Sequence, residues 1–80
     1  TRNVQAYNHY LEGRYYLARR YEGGVQRALE SFERALEHDP GYPLPYIGVA
    51  DCYNIMSYFE FIPPQDGFPR AKQAAARVGW

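Results

Sequence analysis

Apolar residues recur at three- and four-residue steps along most of the chain, and no stretch alternates strictly with a period of two. That periodicity predicts helices and no sheet. Over 25–38, Val25, Ala28, Leu29, Phe32, Ala35 and Leu36 form one apolar stripe, while Arg27, Glu30, Glu33, Arg34 and Glu37 occupy the other side. Glu30 precedes Arg34 by one helical turn, the favourable order for an ion pair, and His38 suits the negative end of the dipole. Pro40 disfavours helical geometry at Asp39, so the helix ends near His38.

Upstream, about 3–20 is also helical by pattern, with Tyr7, Tyr10, Leu11, Tyr15 and Ala18 on one side and Tyr16 and Leu17 widening the face. Gly13 costs about 1 kcal/mol against alanine inside a helix, so its place there predicts a close neighbour. From Leu44 to about Tyr58 the pattern is apolar nearly all round, broken by Asp51 and Asn54, and predicts a helix covered on more than one side. A last helix is predicted from Gln65 or Asp66 to Val78, with Pro69 in its first turn and a thin alanine side. The proline-stopped run YFEFIPP over 58–64 reads as a loop folded against the protein.

Composition narrows the classes. Nine Lys+Arg balance nine Asp+Glu over 80 residues, which gives no bias toward nucleic acid or an anionic membrane. A chain of this size buries roughly 60% of what it exposes unfolded, too little for a standalone enzyme with an enclosed cleft. One cysteine, Cys52, forms no internal disulfide. No apolar run approaches the ~20 residues of a membrane span, so the segment is expected to be soluble, with no direct membrane contact. Tyrosine is the unusual count, at nine.

Ala28, Phe32, Ala35 and Pro40 follow the small–aromatic–small–proline spacing, and Tyr46, Val49, Ala50 and Tyr53 stand where Trp, Leu, Gly and Tyr precede it in a ~34-residue repeat. The chain thereby resembles the tetratricopeptide repeat family. Gly13 and Tyr16 fit the Gly-x-x-Tyr pair of an earlier copy, whereas His9 and Glu12 replace its large apolar residues. The stretches from Tyr16 to Ala28 and from Tyr53 to Ala71 exceed the roughly nine positions of the consensus, so both hairpins are expected to carry enlarged turns, at 19–24 and 58–67. Ala71, Ala75 and Val78 stand for small–aromatic–small in the second copy. The strings GRYYLARR, ALESFERALEHDPGYPLPYIGVADCY and IPPQDGFPRAKQAA are similar to repeat regions of bacterial multidomain signalling proteins, which follow a cyclase, a Ser/Thr kinase or a winged-helix module.

The resemblance implies an all-α chain of two tetratricopeptide-like hairpins, 1–41 and 42–80, the second with its enlarged turn at 58–67. It implies a concave face, built from the first helix of each hairpin, that binds a partner segment. The groove places are Tyr7, Tyr10, Leu11, Arg14 and Leu17 in the first copy, and Leu44, Ile47, Gly48, Asp51, Asn54 and Ile55 in the second. Tyr7, Tyr10, Arg14, Asp51 and Asn54 are the candidate partner-binding residues; Tyr7, Tyr10 and Ile47 serve equally as packing between hairpins. Arg14 and Asp51 either meet a ligand or form an internal salt bridge, because polar groups among apolar neighbours need partners. The alternative function is self-association, by stacking ends or exchanging a hairpin through 58–67, with Val78 and Trp80 uncovered at one end. The default compartment is the cytoplasm, with the outer side of a membrane-anchored parent left open.

No catalytic residue, cofactor or metal site is expected. His9, His38 and Cys52 fall on three helices without ligand spacing, and Gly23-Gly24 lacks the Lys-Ser/Thr of a phosphate loop. Adjacent helical residues do not face each other, so Asp51 and Cys52 make no nucleophile pair. Arg70, Lys72 and Arg77 read as a solvated face rather than a nucleic-acid footprint.

Overall fold

The computed structural model describes residues 2–19 and 23–79. It contains four helices, α1 (Val4–Ala18), α2 (Gly24–His38), α3 (Pro43–Tyr58) and α4 (Pro64–Ala76), with no strand among the described residues. α1 and α2 pair as one hairpin, and α3 and α4 as another. α2 makes most of the joint with α3, which α1 meets only lightly, and α4 packs on α3 alone.

Local chemistry accounts for the helix ends. Asn3 caps α1, its side-chain oxygen accepting from the Ala6 amide at 3.0 Å. Its amide group donates to the His38 carbonyl at 2.9 Å, so one residue closes the start of α1 and the end of α2. The rings of His9 and His38 stack beside it at 5.3 Å. Pro43 opens α3 and Pro64 opens α4, where a missing amide proton costs nothing. α4 therefore begins earlier than the periodicity predicts, and it ends at Ala76 rather than Val78. Pro69 consequently lies in its second turn, not its first.

The core is built on one large side chain among small ones. Phe32 is fully buried, as are Ala28 and Ala35 on the same face of α2. Gly13 of α1 and Gly48 of α3 both lie against the Phe32 ring, and a Cβ at either position would fall 2.5 Å from a ring carbon. The neighbour expected for Gly13 is thus Phe32, shared with a second glycine. Tyr10 packs its ring against Phe32 at 5.9 Å and against Tyr42 at 5.5 Å. The buried stripe of α1 is Ala6, Tyr10, Gly13 and Leu17, whereas Tyr7, Leu11 and Tyr15, expected on one side with Tyr10, are exposed. Close approach through Ala6 and Gly13 rotates the helix away from its bulky residues.

The segment after α3 corrects another expectation. Tyr58, Phe59 and Phe61 are exposed rather than folded against the protein. Glu60 takes a left-handed φ of 58°, and the amides of Phe61 and Ile62 turn back onto the Met56 carbonyl at 2.8 and 3.4 Å. That turn directs Ile62 inward to pack on the core and leaves the rings to pair with one another, Phe59 stacking on Phe61 at 5.9 Å. Of the expected turn at 19–24, only Arg19, Gly23 and Gly24 fall within the described residues, and Trp80 lies outside them. No helix among the described residues is long and apolar enough to cross a membrane.

Helix propensity alone favours Gly→Ala by about 1 kcal/mol. Gly13→Ala and Gly48→Ala are expected instead to destabilise by about 1–3 kcal/mol, because the added methyl drives into the Phe32 ring. Urea unfolding followed by circular dichroism measures the sign directly.

Candidate functional site

A groove of about 480 Å³ runs between α1 and α3. One wall is Tyr10, Arg14, Leu17 and Ala18, which recur at helical spacing along α1; the other is Leu44, Ile47, Gly48 and Asp51 of α3. Gly48 forms part of the floor because Phe32, directly beneath it, leaves no room for a side chain.

Arg14 and Asp51 are exposed and do not pair with each other. The Arg14 guanidinium donates to the Tyr10 hydroxyl at 2.8 Å and lies over its ring at 5.8 Å. Tyr10 is itself wedged against Phe32 and Tyr42, so Arg14 is anchored to the core at its tip. The groove therefore offers a held cation on the α1 wall, a carboxylate on the α3 wall, and apolar lining from Leu17, Leu44 and Ile47. Such a surface can bind a chain segment by apolar contact and charge pairing.

Of the five candidate residues, Tyr10, Arg14 and Asp51 come together in this groove. Tyr7 is exposed and lies outside its lining. Asn54 lines a separate hollow of about 390 Å³, with Ile55, Tyr58, Phe59 and Phe68.

A third hollow, of about 510 Å³, is bordered by α2, α3 and α4, and includes Glu33, Tyr46, Tyr53, Arg70 and Arg77. Arg70 lies over Tyr53 at 5.8 Å and Arg77 over Tyr46 at 5.6 Å. These arginines, expected as a solvated face, remain exposed but rest on rings. The signal in the sequence is the matched seven-residue separation of the two arginines and of the two tyrosines. Partial burial, with Glu30 and Glu37 on the same helix, holds the Glu33 carboxyl above its ordinary range.

On α1, His9 Nδ1 lies 2.7 Å from a Glu12 carboxylate oxygen, and Cys52 is fully buried on α3. No group of three or more His, Cys, Asp or Glu among the described residues is placed to hold a metal ion. Burial, with Asp51 and Glu33 adding negative charge, pushes the Cys52 thiol up to about 12.

No family model, curated protein or solved structure matches the chain.

The raised thiol value makes a sign prediction. Cys52 stabilises the fold fully below its ordinary value of 9.0, and that contribution is lost as pH rises toward 12. At pH 8 the folded chain is expected to react with a disulfide reagent at least ~100-fold more slowly than the chain in urea, because both thiolate and access are suppressed. Absorbance of the released thiolate records both rates.

Proposed function

We propose that the chain is a pair of tetratricopeptide-type hairpins that captures a segment of a partner protein in the groove between α1 and α3. It serves as an interaction module of a larger cytoplasmic signalling or regulatory protein and carries out no chemistry of its own. The observation that supports this reading is the pair of opposite charges, Arg14 and Asp51, on the two walls of a groove that Leu17, Leu44 and Ile47 also line, and not joined to each other. A segment with an acidic residue toward Arg14, a basic one toward Asp51 and an apolar residue between them satisfies all three surfaces. The bond from Arg14 to the Tyr10 hydroxyl lowers the ordering cost on binding.

The test begins with linear peptides selected from a displayed random library on the wild-type chain and measured by fluorescence anisotropy. Arg14→Ala and Asp51→Ala are each expected to weaken binding about 10-fold, a change of about 1.4 kcal/mol. Lys72→Ala, exposed on α4 and outside the groove lining, leaves it unchanged. Peptides indifferent to both groove substitutions overturn the proposal.

A further inference from the structure

The two hairpins share a register that aligns Gly13 with Ala50 and Tyr16 with Tyr53 in their first helices, and Ala28 with Ala71 in their second. The same register makes each face of one hairpin comparable with the other. In α3, Pro45, Gly48 and Cys52 are buried, Gly48 directly against Phe32 of the first hairpin. Their counterparts in α1 are Asn8, Leu11 and Tyr15, and all three are exposed. Val4 extends the stripe, so α1 shows solvent an apolar line of Val4, Leu11 and Tyr15 on the side that α3 uses for packing.

The opposite end of the molecule shows the converse. Leu17, Val25 and Phe32 of the first hairpin are buried, Phe32 against Gly48 of α3 and Leu17 at the groove between α1 and α3. Their counterparts in the second hairpin are Asn54 and Phe68, both exposed, and Ala75, half-buried at the edge of the core. Asn54 and Phe68 line the 390 Å³ hollow there, with Ile55 beside them.

Size distinguishes this pair of faces from an arbitrary apolar contact. Inside the chain the joint places a glycine, Gly48, over a large ring, Phe32. At the two open ends the sizes are exchanged, with Leu11 in the incoming place and Ala75 in the receiving one. A volume-conserving exchange keeps a packed joint filled. By the same register Tyr15 stands where Cys52 stands in α3, and its exposed ring is the largest apolar group of the α1 face.

We infer that the partner of the Asn54–Phe68–Ala75 face is the α1 face of a second copy of this chain, docked head to tail in continuation of the α2–α3 joint. This surface is separate from the groove between α1 and α3, and the inference does not rest on the groove's proposed function. A head-to-tail contact does not close on itself, so association continues with concentration rather than stopping at a dimer.

Sedimentation velocity on three samples tests it. The wild-type chain is expected to show average mass rising through the micromolar range, while Tyr15→Glu, blocking the head, and Phe68→Glu, blocking the tail, are each monomeric. An equimolar mixture of the two variants retains one intact head and one intact tail, and is expected to form a 1:1 dimer that grows no further. Circular dichroism checks that each variant is folded; Leu11→Glu and Asn54→Glu replace them if either is not. A wild-type chain that stays monomeric at high micromolar concentration overturns the inference and leaves these faces to a different protein or to further chain. A mixture that stays monomeric, or a wild-type dimer abolished by only one of the two changes, overturns the head-to-tail arrangement.

Discussion

A phenyl ring held between two glycines sets the geometry of this molecule. Phe32 projects from α2, and α1 and α3 each bring a glycine against it, Gly13 and Gly48, so that three helices meet around one side chain. Their approach is limited by the ring rather than by side chains of their own. The same contact positions the groove, because Gly48 is at once the residue pressed on Phe32 and part of the groove floor. Tyr10 extends the arrangement outward, with its ring on Phe32 and its hydroxyl holding Arg14 at the rim. A continuous path of contacts thus runs from the centre of the core to the charge at the groove rim.

Two glycines and a chain of alanines make this core thin, and that explains which parts of it were legible in the sequence. The four helices follow from periodicity, most securely α2, where Phe32 and its small neighbours already form a stripe. Rotation of α1 does not follow. Counting hydrophobic residues weights Tyr7, Leu11 and Tyr15, yet packing is decided by where backbones can approach, at Ala6 and Gly13. Helix ends at prolines were displaced for a related reason: the pattern marks Pro64 as punctuation, whereas its fixed φ is well suited to the first position of α4.

The candidate residues divide along the same line. Tyr10, Arg14 and Asp51 share a groove because one helical turn separates Tyr10 from Arg14, and Gly48 draws α3 alongside them. Asn54 is nearly one turn beyond Asp51 but belongs to another surface, a hollow it shares with Tyr58 and Phe59 at the end of α3 and Phe68 of α4. The sequence predicts Tyr58, Phe59 and Phe61 to fold inward. Their outward direction depends on the left-handed turn at Glu60, which a residue other than glycine gives little reason to anticipate. The stacking of Arg70 and Arg77 on tyrosines was likewise written only in matched spacing on two helices whose relative placement the sequence does not state.

Because α4 packs on α3 alone while α2 joins both hairpins, the four helices are not equal in what their loss would remove. Local opening of α4 uncovers the Tyr46 and Tyr53 side of α3 but leaves Phe32, its two glycines and the groove in place. Opening of α2 removes the ring on which everything else rests, and is therefore equivalent to global unfolding. The molecule has a hierarchy of failure, with a detachable last helix and a second helix whose departure ends the fold.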